Sequence, residues 1–240
     1  MIAMDNLVST EWLAASLGAP DLVVFDCSTY LPNEAGNKHD AFRAAHIPGA
    51  RLFDIDKIAD QDTDLPHMLP TAGRFAKMMG ALGVSNDSRI VFYDQHGLRG
   101  SPRGWWMMGV FGHDKVAILD GGLPKWQRES RPVETGDAPA PAATTFVPDF
   151  RADRVKGIGD VKKIVVDGSA LIVDARAKGR FDGTAPEPRV GMPSGHMPGA
   201  ANVPVNLVAN ADGTVKDAEA LHALFSAAGV DGSRPVVTTC

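Results

Sequence analysis

Cysteine is scarce in this chain: Cys27 and Cys240 are the only two in 240 residues. Two cysteines cannot build a disulfide framework, and no short-spaced His or Cys pair marks a structural zinc site. Positive charge is not in surplus either. The formal net charge is −5 and the isoelectric point is near 5.8. A nucleic-acid or anionic-membrane partner would need a clustered basic surface, so this balance argues against both. No apolar run approaches the roughly 18 residues needed to cross a bilayer. Residues 1–10 lack the basic, apolar, small-residue order of a signal peptide, which leads to the expectation of a cytoplasmic protein with no membrane contact. Aromatic residues make up 7% of the chain, against 44% hydrophobic and 22% charged, the balance of an ordinary globular protein with a sizeable core.

What is present includes a repeat, which decides the architecture before any single element is read. Leu22-Val23-Val24-Phe25-Asp26 recurs as Leu171-Ile172-Val173-Asp174 at an offset of 148 residues. His46-Ile47-Pro48-Gly49-Ala50 recurs as His196-Met197-Pro198-Gly199-Ala200 at an offset of 150. A third apolar run ends at Asp94 in the first half and at Cys240 in the second, 146 residues on. Three landmarks in the same order at nearly constant offset imply two copies of one domain.

Between the strands lie helical patterns. Ser9 to Leu17 opens with a serine cap; Arg74 to Leu82 carries Phe75, Met78, Met79 and Leu82; Lys216 to Ala228 repeats the pattern in the second copy. Short apolar strands separated by such helices predict an α/β fold: two tandem domains, each a mostly parallel sheet flanked by helices. The expected boundaries are 1–134 for the first domain, 135–150 for a Pro- and Ala-rich linker, and 151–240 for the second. Measured against the first copy, the second is expected to be truncated by about 40 residues, a loop, two helices and a core strand.

Ligands of open parallel sheets bind beyond the carboxyl ends of strands, and Cys240 ends a strand. Taken alone, it fits either a catalytic thiol or a buried structural cysteine. Cys27 directly follows an apolar run and reads as the structural kind. Arg180 and Arg189 follow another strand of the same copy; arginine offers a planar donor fork suited to a carboxylate, although a loop arginine is often merely solvated. Asp56 and His67 lie in a long irregular stretch of the first copy. An aspartate beside a histidine can fix the imidazole tautomer for acid/base work; otherwise His67 is a surface or capping residue. His46 and His196 each precede a Pro-Gly turn, so a shared structural role in that turn is expected.

Taken together, these residues resemble the tandem-rhodanese sulfurtransferases. In the first copy the resemblance rests on Phe53-Asp54-Ile55-Asp56, His67-Met68-Leu69-Pro70, Ser101-Pro102-Arg103-Gly104-Trp105-Trp106 and Asp120-Gly121-Gly122-Leu123, with Asp94 standing where a catalytic cysteine would be. In the second it rests on Asp174-Ala175-Arg176, Gly179-Arg180-Phe181, Glu187-Pro188-Arg189 and Thr238-Thr239-Cys240. The resemblance implies two rhodanese-like domains, the first non-catalytic and the second catalytic. It implies that Cys240 carries the transferred sulfur as a persulfide, that Arg180 and Arg189 bind the donor, and that Asp56 and His67 join a serine two positions beyond the nucleophile in a triad.

His67 and Arg189 favour the subgroup that uses 3-mercaptopyruvate over the one that uses thiosulfate. The implied acceptors are thioredoxin, small dithiols or cyanide, with no metal or organic cofactor. Two alternatives stay open on the sequence: a thiosulfate sulfurtransferase, and a non-catalytic rhodanese-type binding module.

Overall fold

The computed structural model describes residues 4–189 and 191–240. The described residues divide into two compact units: those within 4–30, 35–152 and 212–214 form the first, and those within 31–34, 153–189, 191–211 and 215–240 the second.

The first unit holds β1 (Leu7–Val8), α1 (Thr10–Ser16), β2 (Leu22–Asp26), α2 (Lys38–Ala44), β3 (Arg51–Leu52), α3 (Ile55–Ile58), α4 (Ala72–Ala81), β4 (Arg89–Tyr93), α5 (Ser101–Val110), β5 (Val116–Leu119) and α6 (Gly122–Arg128). Its strands form one sheet in the order β1-β5-β4-β2-β3, every pair parallel. Side chains alternate between the faces of a strand, so β2 and β4 each feed two cores. Phe25 and Phe92 stack across the strand pair at 5.4 Å, on the face covered by Phe75, Met79, Met107 and Phe111. Val24, Val91 and Tyr93 point the other way, into a core closed by Leu13, Phe42 and Trp126. Burial on both faces is why these strands read as unbroken apolar runs.

The helices begin where the sequence supplies caps. Ser9 Oγ accepts the Trp12 N–H at 3.1 Å to open α1, and the Thr71 hydroxyl accepts from Arg74 at 3.3 Å to open α4. The segment 135–150, expected as a linker, is fixed along the first unit. Thr144 N–H donates to the Gly80 carbonyl at 2.9 Å, Val147 and the Asn86 side chain exchange two hydrogen bonds of 2.8 Å, and Phe146 is 3% exposed. Gly80 permits this approach, since a Cβ there would stand 2.5 Å from the Thr144 oxygen.

The second unit contains α7 (Ile158–Asp167), β6 (Leu171–Asp174), α8 (Lys178–Phe181), β7 (Ala201–Asn202), α9 (Ala218–Ala227) and β8 (Val236–Thr239). Its strands are parallel in the order β7-β6-β8, the order of β3-β2-β4 in the first unit. Ile172 faces Ile164 of α7, while Leu171 and Val173 face Val203, Leu224 and Phe225. The two His-Pro-Gly turns are built alike. His46 Nδ1 lies 2.9 Å from the Phe42 carbonyl and its ring stacks on Phe42 at 4.0 Å. His196 Nδ1 lies 2.7 Å from the Phe181 carbonyl and its ring stacks on Phe181 at 3.8 Å. Gly49 and Gly199 take the same left-handed φ, 73° and 78°, which glycine adopts without steric cost.

No helix among the described residues is long and apolar enough to cross a membrane.

Candidate active site

In the first unit, the stretch between Phe53 and Pro70 is not wholly irregular: α3 occupies its start, and Asp56 stands in that helix's first turn. Asp56 Oδ1 is 2.7 Å from His67 Nε2, so the two residues form a direct pair across eleven positions of sequence. The other oxygen, Oδ2, receives the Lys38 ammonium, which also lies against Asp54. Burial pushes the Asp56 carboxyl up, but the hydrogen bonds from Lys38 and His67 outweigh it and hold the group below the usual aspartate range. His67 itself has φ 58°, a left-handed conformation that is uncommon for a residue with a side chain and costs about 1–3 kcal/mol. Arg103 of α5 holds it there, donating from Nη2 to the His67 carbonyl at 2.6 Å, while its guanidinium lies over the Trp106 ring at 4.7 Å.

At the carboxyl end of β4 the loop closes around Asp94. Its Oδ1 accepts the His96 N–H at 2.9 Å. Its Oδ2 accepts the N–H groups of Arg99, Gly100 and Ser101 at 2.8, 2.9 and 3.0 Å, and the Ser101 hydroxyl at 2.8 Å. Backbone N–H groups converging at a helix N-terminus make an anion cradle, and here the chain's own carboxylate fills it. Cys27 lies nearby, fully buried, its thiol donating to the Gly100 carbonyl at 3.2 Å. Burial pushes that thiol far above the ordinary cysteine range, which disfavours the nucleophilic thiolate.

In the second unit, Cys240 directly follows β8 and is exposed. β8 pairs with β6 through Asp174 and Thr239, and the Ala175 N–H donates to the Thr239 carbonyl at 2.8 Å. The loop leaving β6 therefore starts beside the strand that leads into Cys240. That loop is organised around Glu187, whose side chain is 1% exposed. One Glu187 oxygen takes Arg176 at 2.9 Å and the other takes Arg180 at 2.6 and 2.9 Å. Hydrogen bonds from Arg180, ahead of the opposing effect of burial, hold the Glu187 carboxyl below its ordinary value. Arg176 is further locked to Asp174 and to the Gly195 carbonyl, each at 2.7 Å. Arg189 follows two residues after Glu187, half-buried, and makes no ion pair among the described residues.

The candidate residues thus fall into two sets. Asp56 and His67 touch in the first unit. Arg180 and Arg189 share a Glu187-centred loop in the second, next to the strand that leads into Cys240. Among the described residues no group of three His, Cys, Asp or Glu side chains is arranged to hold a metal. Lys38, Arg103 and Glu187 were given no site role from the sequence, although Arg103 and Glu187 stand within motifs that carry the resemblance. Glu187 left a signal, an acidic residue between closely spaced arginines; the contacts of Lys38 and Arg103 left none, because each acts on an element distant in sequence.

The first unit is an all-parallel sheet with helices on both faces, and residues 9–129 match the rhodanese-like domain family. The human 3-mercaptopyruvate sulfurtransferase is 41% identical over 98% of this chain and 80% of its own length. The mitochondrial thiosulfate/3-mercaptopyruvate sulfurtransferase 1 of Arabidopsis thaliana is 41% identical over 98% of this chain and 68% of its own length. The crystal structure of the 3-mercaptopyruvate sulfotransferase SseA from Escherichia coli superposes with a TM-score of 0.89 at 34% identity, covering 99% of this chain and 88% of that one. The chain accordingly belongs to the rhodanese family, in the branch of sulfur-transferring enzymes that holds the 3-mercaptopyruvate sulfurtransferases.

Proposed function

We propose that the chain moves the sulfur of 3-mercaptopyruvate through a persulfide on Cys240 to a thiol acceptor or cyanide. The observation that carries this reading is the placement of Cys240 directly after a parallel strand, beside a loop whose Arg176 and Arg180 are held by a buried glutamate. Arg180 and Arg189 bind the donor's carboxylate and ketone oxygen; Glu187 keeps the Arg180 fork oriented.

The Cys240 thiolate attacks the donor sulfur. The S–S bond forms as the donor's C–S bond breaks, and the bonding pair leaves as the enolate of pyruvate, whose charge the arginines stabilise. A proton taken up at carbon gives pyruvate, and Asp56 with His67 assists that proton movement. An acceptor thiolate, such as that of thioredoxin or a small dithiol, then attacks the outer sulfur and returns Cys240 as thiolate.

The repeated strand order and the matched His-Phe turns support the second unit as a second copy of the rhodanese-like domain, the catalytic one, with the first copy's nucleophile position filled by Asp94. A cytoplasmic location is part of the same reading.

The test is steady-state transfer from 3-mercaptopyruvate and from thiosulfate, with Cys240→Ser as control. A preference for 3-mercaptopyruvate that disappears in the variant is the expected result. The name of the Arabidopsis relative includes thiosulfate, so a preference for that dianion would replace the proposed donor and keep the nucleophile. Absence of transfer from both donors by folded protein would overturn the catalytic reading.

A further inference from the structure

Lysine is rarely found inside a protein unless its charge is paired. Lys38 is such a case: it is the first residue of α2, Asn37 Oδ1 caps that helix by accepting the Asp40 N–H at 2.9 Å, and the Lys38 side chain is only 11% exposed. Its ammonium lies against the carboxylates of Asp54 and Asp56 at once. These two acids differ in what else they have. Asp54 is 10% exposed and is also approached by His39 at 3.4 Å and by Lys57 at 3.5 Å. Asp56 is 62% exposed, and among the described residues its carboxylate has only Lys38 and His67.

We infer that Lys38 is a positioning residue for the Asp56 and His67 pair, its ammonium holding one Asp56 oxygen so that the other is aimed at His67 Nε2. This rests on the reading of that pair as the group that assists proton movement.

The geometry gives the reason. A carboxylate as exposed as Asp56 turns readily toward water, and with the Asp54 charge close by it would be driven outward by like-charge repulsion. Lys38 sits between the two acids, cancels that repulsion and occupies Oδ2, which leaves Oδ1 as the oxygen available to the imidazole. With Nε2 engaged, Nδ1 is the ring nitrogen left for exchange with a reacting group. Arg103 fixes the same histidine from its backbone side through the 2.6 Å bond to the carbonyl. The charged and titratable groups facing Asp56 are therefore Lys38 from α2 and His67 from the following loop, while His39 of α2 and Lys57 of α3 face the neighbouring Asp54.

The test is a double-mutant cycle on the intact protein with 3-mercaptopyruvate as donor, using Lys38→Met, Asp56→Asn and the pair. If Lys38 acts through Asp56, Lys38→Met lowers kcat about tenfold, with KM little changed. Added to Asp56→Asn, it then lowers kcat no further. Lys38→Arg recovers most of the loss, and the Asp56 carboxyl, followed by carbon-13 NMR, titrates at higher pH in Lys38→Met than in the parent. Circular dichroism confirms the fold of each variant, and Lys38→Gln replaces Lys38→Met if the latter does not fold.

Undiminished kcat in folded Lys38→Met beside a crippled Asp56→Asn, or losses that multiply in the double variant, overturns the role of Lys38. Undiminished kcat in Asp56→Asn overturns the reading of the pair itself, and the inference with it.

Discussion

Asp94 and Ser101 are joined twice: one oxygen, Asp94 Oδ2, accepts both the Ser101 backbone N–H at 3.0 Å and its hydroxyl at 2.8 Å. With the N–H groups of Arg99 and Gly100 on the same oxygen and His96 on the other, the carboxylate satisfies donors of a loop that would otherwise be buried unpaired. Hydrogen bonds to a buried charged acceptor contribute about 1.5–3 kcal/mol each when a partner is removed, and they are not additive. Asp94→Asn keeps the shape but puts an amide N–H₂ where one of those oxygens accepts. Unfolding in urea should show it destabilised by about 2–4 kcal/mol; a loss below about 0.5 kcal/mol would mean that the loop holds its form without the charge.

Acid should weaken the first unit through Glu129. Its carboxylate takes Lys125 Nζ at 2.5 Å, the Thr10 hydroxyl at 2.6 Å and Arg131 Nε at 2.6 Å. Led by the Lys125 and Thr10 hydrogen bonds, these lower its pKa to about 2 from an ordinary 4.5. A carboxyl depressed in the folded state stabilises fully above its unfolded pKa, and the contribution is lost as pH falls from about 4.5 through about 2. Glu129→Gln should therefore be less stable than the parent at pH 6, with the gap narrowing at pH 3 and closing near pH 2. Denaturant midpoints across that range measure it; a gap independent of pH would assign the loss to packing instead of charge.

The long parallel strands were legible because burial on both faces leaves unbroken apolar runs such as Leu22–Asp26 and Val116–Leu119. Two-residue β1 and four-residue α3 and α8 were not, since neither length shows a period. Composition misled at 135–150: Pro and Ala there suggested a linker, yet one buried aromatic, Phe146, and a few backbone bonds bind the segment to the first unit. In the candidate site, residue types with chemistry could be read, and contacts could not. That Asp56 meets His67 depends on α3 turning one carboxylate toward a histidine held at φ 58°, and the role of Lys38 depends on α2 packing beside both acids.

The two cysteines should differ sharply toward an alkylating reagent. Cys27 is fully buried, hydrogen-bonded to a carbonyl, and its thiol is held protonated by burial; Cys240 is exposed. Thiolate is the reacting form, so iodoacetamide at pH 8 should label Cys240 alone in the folded protein and both residues in denaturant. Peptide mass spectrometry reads the outcome, and rapid native labelling of Cys27 would show that the β2 end opens far more readily than its packing suggests.

Glu187 gives the sharpest separation between binding and chemistry. Its buried carboxylate holds Arg176 on one oxygen and Arg180 on the other, so Glu187→Gln keeps the volume but replaces one acceptor with an amide donor that cannot face a guanidinium. Arg180 then loses its fixed plane, and a donor carboxylate meets a mobile fork. Arg180→Lys removes the bidentate geometry directly while keeping the charge. Both variants should raise KM for 3-mercaptopyruvate roughly tenfold, since a misaligned charge-assisted pair forfeits about 1.5 kcal/mol. Arg180→Lys should lower kcat as well if the same fork stabilises the departing enolate. In the double variant the KM effects should not multiply, because Glu187 acts on the donor only through Arg180. Multiplying effects would instead mean that Glu187 supports the loop through Arg176, and the role of orienting Arg180 would fall.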